Sequence, residues 1–364
     1  MSENKSPYVK VVRSRTKETL VENKRCTTLD IAKGIGMIFV IFAHVNYTPD
    51  ILVLIYSFHM PLFFILSGVS FDRLKYPSFS AYLARRWKNM ILPYLLFSVI
   101  SIAYVILSSV AFYYTSEFTM VEYIAAFLQI FLAQGSAPVM NTPLWFIPCL
   151  FAVEIMYFFI SKLKPYFVLP ICICLSCFGW VLESGMLAFD NTLLPWSLDS
   201  ALFALSFYAI GNLASPYLKK AIAYIKDNKY KILICIGITA LCVAAWLPLA
   251  LMNGKISLGS KELNNGFLLY MTGILGTVGI LAISILLEKV KFLNFLGTNT
   301  FCLMSVHYMV RRFMIPKYYR MMGRPLYNDE VLSETIVPFI IVFVLSILLT
   351  LGYNAARKHL QKEK

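Results

Sequence analysis

RCTTLDIAKGIGMIFVIFAHVN, residues 25–46, leaves a basic, polar lead and enters an apolar run that carries His44 near its far end. No charged residue stands between Lys33 and His44. The surrounding composition decides which solvent the run meets. The chain of 364 residues is 59% hydrophobic and 14% charged, with a mean hydropathy of +0.69. A water-soluble domain of this length carries more charge, so most of the chain must face lipid or other membrane helices. In lipid every backbone polar group has to be satisfied internally, and the apolar runs are too long for barrel strands. The sequence therefore predicts an all-α polytopic membrane protein, with about ten transmembrane helices around a polar intramembrane cavity.

Hydropathy places those spans at 31–45, 51–71, 90–112, 144–161, 166–182, 194–213, 231–252, 267–287, 292–308 and 331–353. A further apolar stretch, 121–133, is shorter and is interrupted by Glu122 and Gln129, which predicts an interfacial or re-entrant helix. In domain terms, residues 1–28 form a basic cytoplasmic tail, 29–356 the transmembrane domain and 357–364 a short cytoplasmic tail. No cleavable leader is expected, because a long polar tail precedes the first span and a second span follows directly.

Lysine and arginine give the orientation. The leading tail, with Lys5, Lys10, Arg13, Arg15, Lys17, Lys24 and Arg25, and the loops bearing Arg73, Lys75, Arg85, Arg86 and Lys88, then Lys162 and Lys164, alternate with segments 46–50, 115–143 and 183–195 that have neither residue. Lys219, Lys220, Lys226, Lys229, Lys289 and Lys291 continue the pattern, so both termini are expected in the cytoplasm. The group Arg311, Arg312, Lys317, Arg320 and Arg324 dissents, reading as a basic loop on the outer side. A net charge of +14 is thus mainly a topology signal with anionic lipid headgroups as its partner, and requires no nucleic acid. Eight cysteines lie almost wholly in spans, and Cys172, Cys174 and Cys177 lack the histidine or carboxylate that would complete a metal site.

An ionisable side chain deep in a span faces a cavity or the bundle interior and points to function. His44 lies about 21 Å beyond Asp30 at ~1.5 Å rise per residue, toward the outer half of the membrane. It suits a general base, although a helix–helix hydrogen bond accounts for it as well. SFHMPLFFILSG, residues 57–68, brings His59 onto the neighbouring antiparallel span, with Pro61 expected to kink it and Ser67 and Gly68 to permit close packing. ARRWKNMILPY, residues 84–94, sets Arg85, Arg86 and Lys88 before the next span. Positive-inside anchoring explains part of that cluster, and phosphate binding suits it equally. Thr27, Thr28 and Asp30 also fit an ordinary helix N-terminus.

These pieces together resemble the integral-membrane acyltransferase 3 family, in particular its short members similar to bacterial fucose O-acetylases. The resemblance rests on Arg25, Leu29, Asp30, Lys33 and His44, on Phe58, His59, Pro61, Phe63, Phe64, Ser67 and Gly68, and on Arg85, Arg86 and Pro93. NTPLWFIPCLF, residues 141–151, is similar to the family's Leu-Trp-Phe approach to a later span and singles out Trp145. FLGTNTFCLMSVHYMVRR, residues 295–312, is similar to its late Gly-x-Asn-Ser-x-x-x-Tyr-x-x-x-His segment, with Thr300 in place of the serine and Met304 or Ser305 where a tyrosine is common.

The resemblance implies transfer of an acyl group, typically acetyl from cytoplasmic acetyl-CoA, to a hydroxyl of an envelope saccharide or lipid-linked glycan in a bacterial cell membrane. Acyl-CoA would be a co-substrate, with no permanently bound cofactor and no metal. His44, as base or acyl carrier, His59 and Asp30 are then the catalytic candidates. Arg25, Lys33, Arg85, Arg86 and Lys88 are the donor-binding ones, and Trp145, Asn299 and His307 stand in second rank. Larger relatives append a further soluble domain, and this chain, ending at Lys364, is expected to act alone or with a separate partner. A transporter or flippase of a lipid-linked saccharide or small polar solute is the alternative, since kinked helices and intramembrane histidines serve transport too. A membrane sensor or scaffold would need no aligned ionisable groups.

Overall fold

The computed structural model describes residues 26–45, 48–111, 119–134, 141–183, 194–258, 264–323 and 332–362. Those residues form helices α1 (Thr27–Val45), α2 (Pro49–Tyr56), α3 (His59–Ser70), α4 (Phe79–Arg86), α5 (Leu92–Ala111), α6 (Met120–Leu132) and α7 (Phe146–Ile160). The second half adds α8 (Pro165–Glu183), α9 (Leu198–Asp227), α10 (Lys231–Asn253), α11 (Gly266–Leu286), α12 (Lys291–Thr298), α13 (Thr300–Met321) and α14 (Leu332–Lys362). Among the described residues nine helical segments are long and apolar enough to cross a membrane, with α2–α3 and α4–α5 each counting as one. Their outward faces carry side chains such as Leu233, Leu241, Phe267 and Leu348, left exposed as a lipid-facing surface requires.

Pro61 breaks the second span as its chemistry dictates. Without an N–H it cannot bond the Ser57 carbonyl one turn back, and α2 ends at Tyr56 while α3 begins at His59. The freed carbonyl accepts a hydrogen bond from Thr272 Oγ1 at 3.0 Å, and Trp246 Nε1 donates to Ser57 Oγ at 2.9 Å. The interruption is therefore pinned from α10 and α11, and it sets His59 at the first turn of α3.

Two close backbone approaches hold the bundle around α1 and α3. A Cβ at Gly68 would overlap the Tyr208 carbonyl of α9, and one at Gly297 would overlap the Asp30 carbonyl of α1. Small residues at such crossings are the membrane substitute for a hydrophobic driving force between helices.

The segment 292–308 is not one span. It divides at Asn299 into α12 and α13, and α13 continues to Met321 with Arg311, Arg312, Lys317 and Arg320 inside the helix. The expected basic loop is thus helical, and Arg324 lies outside the described residues. Asn299 fixes the break through its side chain, whose Nδ2 donates to the Phe295 carbonyl at 2.8 Å while its Oδ1 accepts from Asn354 at 2.7 Å.

Helix α6 has 13 residues, about two thirds of the ~20 a span requires, and its C-terminal turn ends inside the bundle. A helix end leaves carbonyls without partners. Here Tyr94 donates to the Ile130 carbonyl at 2.8 Å and Ser197 to the Ala133 carbonyl at 2.9 Å. Ile130 and Ala133 are buried, whereas Met120, Val121, Ile124 and Phe127 are exposed. This geometry fits a re-entrant helix, whose outer face meets lipid and whose tip meets protein.

Candidate active site

A cavity of about 660 Å³ runs along α1, from Lys33 to His44, and is closed by residues of α2, α3, α7 and α13, by Arg86–Met90, and by the segments before α7 and after α10. Those two side chains sit about 16 Å apart along the helix at ~1.5 Å per residue. The cavity therefore traverses much of the bundle and has two chemically different ends.

One end is built by Lys33, Arg86, Asn89 and Glu154. Glu154 is 3% exposed on α7, within the apolar run Phe146–Ile160. A carboxylate there needs a cation, because an isolated charge at that depth is costly. Arg86 Nε supplies it at 2.8 Å. The Tyr82 ring lies under the same guanidinium, 5.4 Å from its carbon to the ring centroid. Held on Nε and on one face, the Arg86 guanidinium is fixed at the cavity wall, and a fixed guanidinium suits phosphate. A π-helical turn, Trp87–Ile91, follows immediately and brings Asn89 to the same wall. One extra residue in a turn re-aims side chains, which is why such turns recur at functional sites.

The middle is apolar. Phe63, Trp145, Phe146 and Met304 line it, with Phe63 and Phe146 in edge contact at 6.0 Å between centroids. A thin acyl arm fits this part and a hydrated charge does not.

The far end gathers three aromatic side chains from two helices. His44 lies with its ring centroid 5.2 Å from His307 and 5.8 Å from Tyr308, and Arg311 stacks on Tyr308 at 5.2 Å. His307 Nδ1 bonds the Leu303 carbonyl at 2.9 Å, and His59 Nδ1 bonds the Ile55 carbonyl at 2.9 Å. A carbonyl only accepts, so both rings carry their proton on Nδ1 and present Nε2 as an acceptor. His307 Nε2 is buried with no hydrogen-bond partner among the described residues. His59 lines the cavity, with Tyr56 at 5.0 Å, while His307 stands just behind His44.

The residues singled out by sequence fall into three groups. Lys33, His44, His59, Arg86 and Trp145 converge on the cavity, and His307 backs it. Arg85 and Lys88 do not line it. Both are exposed, and Arg85 rests on Tyr76 at 5.8 Å. Asp30 is buried at the contact of α1 with α12, far along the helix from His44, and Asn299 serves the α12–α13 break. Arg25 lies outside the described residues. At the start of α1, Thr28 Oγ1 donates to Glu288 Oε1 at 3.4 Å, and Glu288 pairs with Lys226.

Sequence reasoning passed over Glu154, Tyr308 and Lys255. A lone carboxylate inside an apolar run was the available signal for Glu154. Among the described residues no group of three histidine, cysteine, aspartate or glutamate side chains is arranged to hold a metal.

A family model for an acyltransferase domain, acyltransferase 3, matches residues 27–354, and so takes in both ends of this cavity. The chain belongs to the acyltransferase 3 family. No curated protein and no solved structure matches it. As a membrane acyltransferase, the chain has a basic end, an apolar passage and a pair of imidazoles in that order beside α1, with His44 on α1 and His307 on α13.

Proposed function

We propose that this acyltransferase moves an acyl group, most simply acetyl, from a cytoplasmic acyl-CoA to a hydroxyl of an envelope saccharide or lipid-linked glycan. The supporting observation is the single cavity with Lys33 and Arg86 at one end and His44 at the other. The positive-inside pattern assigns the Lys33 and Arg86 end to the cytoplasm and both termini with it, in a bacterial cell membrane.

In this reading the anionic nucleotide end of CoA rests on Lys33 and Arg86, and the acyl arm lies along the apolar passage. His44 takes the proton from the acceptor hydroxyl, and that oxygen attacks the thioester carbonyl. The carbon–sulfur bond then breaks, and His44 returns the proton to the leaving CoA sulfur. His59 Nε2, an acceptor in the same end, orients the hydroxyl. His307 holds the ring of His44. Acyl-CoA is consumed as a co-substrate, so the cycle requires no resident cofactor.

Purified protein in nanodiscs, supplied with labelled acetyl-CoA and membrane glycan, tests the proposal. Labelled glycan together with free CoA is expected. Solute flux with no consumption of acetyl-CoA would point instead to a transporter.

A further inference from the structure

On α13 the cavity-lining residues Thr300, Met304, Tyr308 and Arg311 follow one another at helical spacing, so one stripe of the helix faces the cavity. A polar contact holds the helix beside that stripe. Asn141, 1% exposed ahead of α7, donates through Nδ2 to the Ser305 carbonyl at 2.7 Å and to Ser101 Oγ of α5 at 3.0 Å. Tyr308 follows Ser305 by less than one turn, on backbone tied in this way to two other parts of the bundle. Arg311 lies over the ring of Tyr308 at 5.2 Å, and the ring meets that of His44 at 5.8 Å between centroids and 86° between planes. No hydrogen bond to another described residue occupies the Tyr308 hydroxyl.

The transfer step leaves one developing charge to be stabilised. As the acceptor oxygen attacks, the π pair of the thioester carbonyl moves onto its oxygen, and a fixed hydrogen-bond donor is worth most at such an oxyanion in a dry site. Neutral His59 and His307 cannot supply it. Each has a single N–H, and each spends it on a backbone carbonyl, of Ile55 and of Leu303. His44 is engaged with the proton of the acceptor hydroxyl. The reacting carbon must sit about 3 Å from both the activated oxygen and the oxyanion donor, so the donor has to neighbour the base. Tyr56, Lys255, Ser257 and Arg311 also line the cavity, but among the described residues Tyr308 is the one that brings a hydroxyl on a ring in contact with His44.

Resting on the acyltransferase reading above, we propose that Tyr308 is a catalytic residue whose hydroxyl donates a hydrogen bond to the thioester carbonyl oxygen as negative charge forms there. The proton stays on the phenol throughout. The oxyanion then returns its electron pair to carbon, the carbon–sulfur bond breaks, and the proton held by His44 passes to the CoA sulfur. The acceptor ester and free CoA are the products.

The test uses the full-length protein in nanodiscs with acetyl-CoA and membrane glycan. Tyr308→Phe keeps the ring contacts and removes only the hydroxyl. It is expected to lower kcat by about a hundredfold or more, the scale of one lost oxyanion donor, with KM for acetyl-CoA within about twofold. A second measurement is the infrared carbonyl stretch of bound acetonyl-CoA, a ketone analogue that cannot transfer its acetyl group, isotope-labelled at the carbonyl. Hydrogen bonding to the oxygen lowers this stretch, so wild type is expected to hold it at lower frequency than Tyr308→Phe does. Binding of the analogue by the same preparation verifies the fold of the variant. Equal frequencies in the two proteins would overturn the proposal even if kcat fell, because a packing role slows turnover without touching the carbonyl. Unchanged kcat would overturn it as well, and both results leave the acyltransferase standing. Should the variant fail to bind the analogue, wild type decides: a bound stretch lower than in a solvent without donors supports the proposal, and one as high overturns it. No consumption of acetyl-CoA by wild type would overturn the transferase reading and this proposal with it.

Discussion

His44 and His307 lie 5.2 Å apart between centroids with their planes tilted by 42°, and His307 keeps a buried Nε2 with no hydrogen-bond partner among the described residues. A buried acceptor left empty costs roughly 1–3 kcal/mol, and such groups persist where a function uses them. The polar ring packed against His307 is that of His44. His307→Phe keeps the aromatic contact and removes the acceptor. It is expected to lower kcat by about tenfold or more through loss of orientation, with KM for acetyl-CoA unchanged. Steady-state kinetics in nanodiscs would show this, and an unchanged kcat would reduce His307 to packing.

Under the proposed function, the ion pair of Arg86 with Glu154 makes the carboxylate a positioning group for the donor end. Glu154→Gln should raise KM for acetyl-CoA several-fold while changing kcat little. It should also cost about 3 kcal/mol of stability, as removal of one partner from a buried pair does. Arg86→Gln and the double variant complete a cycle in which the two losses are expected to be strongly non-additive. Simple additivity would show that the two side chains act independently.

Arg85 and Lys88 differ from Arg86 by their place outside the cavity. Alanine at either position should leave donor affinity within about twofold at moderate salt, because exposed charges are screened. Arg86→Ala should weaken it by about tenfold or more, the scale of one charge-assisted contact. Binding of a non-hydrolysable acyl-CoA analogue to solubilised protein measures both. Equal losses at all three positions would return the cluster to a long-range electrostatic role.

Gly297 is a structural test, for it allows the carbonyl of Asp30 to lie against α12. Gly297→Ala should lower thermal stability by roughly 1–3 kcal/mol, as overpacking does. The fraction that folds should keep its KM for acetyl-CoA. A large change in KM with normal stability would mean that the α1–α12 contact controls donor binding.

Much of this architecture was legible in the sequence because the lipid solvent leaves few solutions. Apolar length gave the spans, Pro61 gave the break before α3, and intramembrane His44 and His59 stood out against an uncharged background. The division at Asn299 was not legible. It depends on a hydrogen bond from Asn354 on another helix, which no local pattern announces. Arg311 was misread as part of a loop because hydropathy treats arginine as a departure from the membrane, whereas here it sits on a helix that faces a cavity. The cluster Arg85, Arg86 and Lys88 looked uniform as sequence, and only the helical phase from α4 into the turn Trp87–Ile91 separates the member that reaches the cavity. Glu154 was visible, but its partner comes from a helix distant in the chain.

The most direct test of the account is turnover by His44→Ala in nanodiscs, with acyl-CoA binding measured on the same preparation. The account predicts normal insertion, near-normal donor affinity, and transfer to the glycan slowed by roughly two or more orders of magnitude, the scale of lost acid–base catalysis. Transfer at close to the wild-type rate would contradict it, and the search for the base would move to His59.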